Sequence, residues 1–476
     1  VTPLILTYED LVACGEDEVA RKRFILRAIQ QHKVSPEYLT AVDAQLYYDG
    51  ENPTINKYEK IIYDMKGLAH RDMWTANHKI ASQVFQYVID QEVSYLLGNG
   101  VRFAKSETKD ALGKTFDEDM QDALEYARIA GASFVFFNMD RLYVFKLTEF
   151  VPLYSEENGA LMAGVRFWKM DKNKPLRASL YELDGYTDYI QRKGKSLELL
   201  NEKRPYIETV TTSEADGSTI TDGTNYAGFP IVPMYANKQH KSALNGKRNT
   251  VDAFDLITSN MVNNCDEGNL IYWVLTNCGG MDDEDDMKFV ERLKTIHVAH
   301  ADGDSGAGAE AHTVDAPIEG SKVTKEELHD QLYDDFQAFD AKSMAAGDLS
   351  ATAISAGYTR LDMKCDKIER QVTRCITAIL ELAGIDDAPT YVRNKIINRA
   401  EEVQIAVMEA QYLPEDYTLK RLLTINGDID MYDDVAKQMD EESSRRIKEL
   451  EDQLDDISTG NDTDTPAQNN AGVKEE

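Results

Sequence analysis

The sequence predicts an α+β chain, mainly helical, with a β-rich module between helical parts. Three observations predict it. Apolar residues recur at helical spacing over 19–33, over 77–97 and again beyond residue 250. From 133 to about 232 the pattern changes to aromatic and β-branched runs separated by Asn, Asp, Gly and Pro. The 476 residues, 42% of them hydrophobic, supply a sizeable core and correspond to roughly three domains or one multi-part subunit.

Each element has its own signal. In VARKRFILRAIQQHK, residues 19–33, Phe24, Ile25, Ala28 and Ile29 share a helical face. AQLYYDGENPTI, 44–55, reads as an exposed turn. The stripe Ile80, Val84, Val88, Val93, Leu96 and Leu97 predicts a helix from Asn77 to Leu97 with Gly98 as its stop. A short helix over Glu118–Ala130 follows. ASFVFFNMDRLYVFKL predicts a hairpin turning at Asn138–Arg141, and EADGSTITDGTNYAG, 214–228, a mobile tip.

Helical periodicity returns at Thr250, with Phe254, Ile257, Met261 and Cys265 on one stripe. A second helix is expected to start with a capping box at Thr324, Lys325, Glu326 and Glu327. Its apolar stripe is Leu328, Leu332, Phe336 and Phe339, and its other face carries Glu326, Glu327, Asp330, Asp334 and Asp335. The intervening insertion holds NLIYWVLTN, the acidic run Asp282, Asp283, Glu284, Asp285 and Asp286, and the glycine-rich ADGDSGAGAEA. Such a length exceeds a simple loop and falls short of an independent core. Small residues fill Ala345–Gly357. A long helix is expected over Tyr358–Ala383, apolar at Ile368, Val372, Cys375, Ile376, Ile379 and Leu380 and ended by Gly384. Polar helices follow, with stripes through Ile397, Val403, Val407 and Met408, then Leu419, Leu422 and Leu423, and a charged helix to about Asp455. The last stretch has too few apolar residues to order.

Charge and composition narrow the function. Lys and Arg number 52 against 84 Asp and Glu, a formal charge of -32. A protein that grips nucleic acid by counterion release needs concentrated Lys and Arg, so this balance argues against tight binding and leaves weak contact open. No window suits a membrane span, and the opening VTPLILTYEDLVACGEDE meets acid before an apolar core develops, which argues against export. Five cysteines without a CxxC pair imply buried thiols in a reducing compartment rather than disulfides or zinc.

No constellation of nucleophile, base and electrophile stands out, so an enzyme is not expected, nor is a cofactor. The acidic run could chelate a divalent cation and cleave phosphodiesters, but adjacent carboxylates diverge and lack the spacing of a calcium loop. A solvated surface is the simpler reading of that run. His297, His300 and His312 have no HExxH or CxxC companion, so no metal site is assigned.

Four segments in order carry a family resemblance: LYYDGENPTI at 46–55, NHKIASQVFQYVIDQEVSYLLGNGV at 77–101, GFPIVPMYANK at 228–238, and YVRNKIINRAEEVQIAVMEAQYLPEDYTLKRLL at 391–423. In this order the chain resembles the portal proteins of tailed double-stranded DNA bacteriophages, of the long-tailed type of Gram-positive hosts. INGDIDMYDDVAKQMDEE, 425–442, departs from that family's commoner Val-Asp-Asp plus Glu pattern.

The resemblance implies an N-terminal helical wing part (1–132), a β-rich wing module (133–238), a first stem helix with its lead-in (239–266) and a clip (267–323). It further implies a second stem helix (324–344), a tunnel loop (345–357), a long wing helix (358–384), a helical crown (385–455) and a disordered tail (456–476). It implies a ring of twelve subunits at one capsid vertex of the virion, assembled in the host cytoplasm. Duplex DNA would pass through, weakly contacted, with terminase, major capsid and scaffolding proteins and a head-to-tail adaptor as partners. Terminase and adaptor would dock on the clip at Asp282, Asp283, Glu284, Asp285 and Asp286. The channel would be lined by the acidic stem face, Glu326, Glu327, Asp330, Asp334 and Asp335. The tunnel loop would add Ala346, Gly347, Asp348, Leu349, Ser350, Thr352 and Ser355. An anionic wall raises the energy of close phosphate contact, so DNA would slide rather than stick.

Overall fold

The computed structural model describes residues 6–63, 67–72, 76–139, 141–193, 195–212, 219–267, 272–276, 308–312, 318–340, 351–394, 399–426 and 429–459. The chain divides into two units, one of Val1–Ser343 with Tyr358–Lys395, the other of Met344–Gly357 with Ile396–Glu476.

The first unit opens with α1 (Tyr8–Val12) and α2 (Glu18–Lys33). Asp17 caps α2 by accepting from the amides of Val19 and Ala20, and the expected face Phe24, Ile25, Ala28 and Ile29 is buried. Next comes α3 (Pro36–Tyr48), with Ser35 as cap and Pro36 in the first turn, where the missing N–H costs nothing. Residues 44–48 therefore end a helix rather than form a turn, because Ala41, Ala44 and Tyr47 bury one face. Asn52 then caps the short α4 (Pro53–Lys57), and β1 (Ile61–Tyr63) pairs with β2 (Ala69–Arg71).

The helix expected from Asn77 starts later, as α5 (Val84–Leu97). Gly98 at its end keeps right-handed backbone, and the left-handed turn falls at Gly100. β3 (Val101–Arg102), α6 (Ser106–Leu112) and α7 (Phe116–Ala130) lead into the sheets.

β4 (Ala132–Asn138) and β5 (Arg141–Lys146) form the expected hairpin, with Asn138 opposite Arg141. β6 (Phe150–Tyr154), β7 (Leu161–Trp168), β8 (Leu176–Glu182), β9 (Gly185–Gln191) and β10 (Leu197–Arg204) make an antiparallel meander in the order β10-β9-β8-β7-β6. β11 (Ile207–Thr212) pairs with β12 (Thr219–Thr224), so residues 219–224 of the expected mobile tip are a strand; residues 213–218 lie outside the described residues. β13 (Ile231–Tyr235) returns to pair with β4.

Strand alternation separates two cores. Val151, Leu153, Ala163, Val165 and Phe167 point to α1 and α2, meeting Leu11, Phe24 and Ile25. The other core is aromatic, gathering Phe134, Phe136, Phe145, Phe150, Tyr181 and Tyr206. Gly164 of β7 is required there: a Cβ would lie 2.0 Å from the buried Phe150 ring.

α8 (Arg248–Glu267) is followed by β14 (Tyr272–Thr276), which pairs with β15 (Gly308–His312). α9 (Ile318–Phe336) starts six residues before Thr324. That residue is mid-helix, its hydroxyl donating to the Gly320 carbonyl, so the expected capping box does not form. α10 (Ala351–Ala383) also begins early, taking in residues 351–357 of the expected tunnel loop. Its apolar side, Ile368, Val372, Cys375, Ile376, Ile379 and Leu380, is buried as expected, and Gly384 follows with φ +70°. β16 (Thr390–Tyr391) pairs with β3.

In the second unit α11 (Arg399–Glu409), α12 (Glu415–Asn426) and α13 (Tyr432–Thr459) are helical, as the sequence predicts. Ala406 and Thr418 are buried, while Val407 and Met408 of the expected stripe are exposed: the inward face of α11 is set by the small Ala406. α13 passes the expected limit at Asp455; residues 460–476 lie outside the described residues.

Candidate nucleic-acid interface

The expected channel wall is built on α8 and α9, which pack together. On α8 the buried positions are Val251, Phe254, Asp255, Ser259 and Asn263, whereas Ile257 and Met261 are half-buried and Cys265 is exposed. The expected apolar stripe is thus displaced by a polar one. Asp255, Ser259 and Asn263 recur every fourth residue, a rise of about 6 Å on a helix. An extended chain covers that distance in two residues. Residues 78–82 accordingly run alongside α8, every second amide reaching it. The Ser82 amide donates to Asp255 at 3.0 Å, Ile80 to Ser259 at 3.0 Å and His78 to Asn263 at 2.7 Å. These bonds replace the helix expected to begin at Asn77. Asn52 adds a fourth donor, to Asp255 at 2.8 Å.

On α9 the buried residues Leu332 and Phe336 face the interior, and Phe85 packs at 6.0 Å from Phe336. The predicted acids Glu326, Glu327, Asp330, Asp334 and Asp335 are all exposed. They are only lightly engaged: Asp334 pairs with Arg360, Asp330 lies 3.6 Å from the His329 ring, and Asp335 accepts from Thr250 at 3.4 Å. The face therefore keeps most of its negative field.

The chain leaving α9 is pinned firmly. Gln337 has φ +51°, ending the helix, and Gln91 brackets Phe339, accepting from its amide at 2.9 Å and donating to its carbonyl at 2.8 Å. Phe339 stacks on Tyr358 at 4.1 Å, and Tyr358 on Tyr95 at 5.5 Å. Tyr95 in turn donates to Asp362 at 2.5 Å.

Behind this stack lies a buried ionic group. Arg128 donates through Nε to Glu92 at 2.6 Å and through its Nη1 to the Ala236 carbonyl at 3.0 Å. Lys364 pairs with Glu92 and also donates to the Phe336 carbonyl, the last of α9. Burial pushes the Glu92 carboxyl up, but Arg128 and then Lys364 hold it below its ordinary range. Burial pulls the Lys364 ammonium down, and Glu92 offsets this only in part. α5, α7, α9 and α10 thus meet at one carboxylate. Sequence reasoning missed this group, although Glu92 inside the stripe Val88, Val93, Leu96 signalled a buried acid needing partners.

Of the other predicted site residues, Thr352 and Ser355 fall on helix α10 rather than on a loop. Ala346, Gly347, Asp348, Leu349 and Ser350 lie outside the described residues, as do Asp282, Asp283, Glu284, Asp285 and Asp286 and the histidines His297 and His300. His312 sits in β15 opposite Tyr272. Among the described residues no group of three or more His, Cys, Asp or Glu could hold a metal ion, and no helix is long and apolar enough to cross a membrane.

With α3 through most of α13 in place, residues 35–449 match the family described as phage portal protein, SPP1 Gp6-like. The chain belongs to this portal family. It is 23% identical over 414 residues to a portal protein of Clostridium phage phiCD119, covering 80% of this chain and 88% of that one. It is 22% identical over 368 residues to the portal protein of Bacillus phage SPP1, covering 73% and 69%. A chain in the solved virion of a native gene transfer agent particle has a TM-score of 0.40 at 11% identity, over 71% of this portal chain and 89% of its own.

Proposed function

We propose that this portal protein assembles into a ring, of twelve copies on the family resemblance, at one capsid vertex of the virion. Duplex DNA passes through it during packaging and ejection. The observation that carries the reading is the family match over residues 35–449, joined to an α9 whose acidic residues all face solvent opposite a buried apolar side. Lining the channel, that face would repel phosphate and shorten each contact. The segment 345–357 would approach the DNA with small side chains, and the clip with Asp282–Asp286 would receive terminase and the head-to-tail adaptor. Capsid and scaffolding proteins would meet the outside of the ring, with assembly in the host cytoplasm.

On this reading the protein is a conduit that supplies no chemistry. The phosphodiester-cleaving alternative rests on Asp282–Asp286 alone, and the family match lends it no support. Negative-stain images of the purified protein are expected to have ring-shaped end views with a central opening that admits a duplex. Mass photometry that finds only monomers across salt and concentration would overturn the ring. Metal-dependent DNA cleavage lost on changing Asp282–Asp286 would restore the enzyme.

A further inference from the structure

The formal charge of -32 hides one local concentration of the opposite sign. The β7–β8 turn and the β9–β10 turn leave the same end of the five-stranded sheet, and Leu176 at the start of β8 is paired with Gln191 at the end of β9. Between the two turns is a cleft of about 520 Å³ with nine lining residues. Five of them, Lys169, Lys172, Lys174, Arg192 and Lys193, are cationic, and none is acidic.

These five side chains belong to exposed residues. Arg192 pairs with Glu198, whereas Lys169, Lys172, Lys174 and Lys193 have no carboxylate within ion-pair distance among the described residues. The crowding reaches neighbouring α2, where burial and then the charge of Lys169 lower the pKa of Lys33. Asp171 in the same turn, accepting from the Lys172 amide at 2.6 Å, and Glu198 offset only part of this charge; like charges gathered in excess raise the energy of the free surface, and an arriving anion relieves it.

The side-chain chemistry suits a contact without a fixed geometry. Four of the five cations are lysines, point charges on flexible stems, rather than the planar forks that bind a carboxylate or a phosphate in one set orientation. Mobile point charges on two turns suit a repeating phosphate chain. At about 0.15 M salt the Debye length is about 8 Å, so a phosphate at the cleft responds to these cations more than to distant acids. Whole-chain charge therefore misjudges this end of the sheet.

We propose that the cleft between the β7–β8 and β9–β10 turns is a sequence-independent contact for the phosphate backbone of duplex DNA. It is carried on the β-rich module and is distinct from the acidic face of α9. The identity of its partner rests on the portal reading.

The test is fluorescence anisotropy of a labelled duplex with the full chain at about 0.1 M salt, where screening confines the interaction to about 10 Å. The wild type is expected to bind, and Lys172→Gln, Lys174→Gln and Lys193→Gln together to weaken binding about tenfold or more. At about 0.9 per phosphate contact, the slope of log affinity against log salt should fall by roughly 3. Lys437→Gln with Lys448→Gln, exposed on α13, should change neither value. Absent binding by the wild type, or equal binding by the triple variant, overturns the proposal. So does displacement by poly-L-glutamate as effective as by unlabelled duplex, which would give the cleft to an acidic protein segment. Imaging the same samples separates the two claims. Wild-type protein that binds DNA through the cleft without forming rings sinks the ring and leaves the contact standing.

Discussion

Glu92 is buried with two cations on it, and removing its charge would leave Arg128 and Lys364 without their counterion. Glu92→Gln, which keeps the volume, should destabilise the first unit by about 3–5 kcal/mol, read as a lowered thermal midpoint at fixed scan rate. Because the Glu92 pKa is depressed in the fold, its contribution is present above its ordinary value of 4.5 and disappears as pH falls further. The wild type should therefore lose thermal stability in acid more steeply than the variant. Asp387 behaves similarly at the surface. Thr108 donates to it at 2.7 Å and the amides of Ala104 and Lys105 at 3.2 and 3.1 Å, tying it to the start of α6. The Thr108 bond leads in lowering its pKa from 3.8 to about 2, so this tie holds above pH 3.8 and is released as pH falls toward 2. Asp387→Asn should speed hydrogen exchange over residues 104–112 at neutral pH; unchanged exchange there would deny the tie its role. Burial of Glu92 was signalled by the apolar stripe around it, but the partners of both groups were not legible, since they lie 36 and 279 residues away.

Among the elements, α9 carries the channel argument. Glu326→Lys, Glu327→Lys and Asp330→Lys together should leave the fold intact, because all three are exposed, and should make the protein retain duplex DNA. The clean comparison is a background with the lysines of the β7–β8 and β9–β10 turns neutralised; no gain in retention there would remove α9 from the wall. β7 offers a test of packing: Gly164→Ala presses a methyl into Phe150 and should cost about 1–3 kcal/mol. Elements with regular periods were legible: α2, the β4–β5 hairpin and the apolar side of α10 follow the sequence closely. Those stabilised by distant partners were not. α8 turns a polar stripe inward because a segment almost two hundred residues away supplies the donors, and periodicity registers only apolar faces. The acidic side of α9 could be read from charge spacing alone, whereas its start at Ile318 was missed because the stronger Ser/Thr-x-x-Glu pattern at Thr324 outweighed Asp315 and Pro317 in the sequence just before it. The cationic cleft escaped because its lysines are divided between two turns and vanish in a net count.

For the whole molecule, copies charged near -32 repel one another at low ionic strength. The Debye length shrinks from about 30 Å at 0.01 M to about 8 Å at 0.15 M salt, so the oligomeric fraction should rise over that interval. Mass photometry at fixed protein concentration follows it; a falling fraction would mean that ion pairs, not screening, dominate the subunit contacts. The family architecture was legible because four separated segments kept their order across the length that the portal match later spanned. One local feature has bearing on how such chains diversify. The rings of Phe339, just past the end of α9, and Tyr358, two turns into α10, touch. Insertions ahead of Ala351 leave the register of α10 alone, and doubling a flexible connection adds only about 0.6 kcal/mol of closure entropy, whereas an insertion within 351–357 would shift the first turns of that helix. Residues can thus be traded ahead of Ala351 while the aromatic contact that joins the end of α9 to α10 stays as it was.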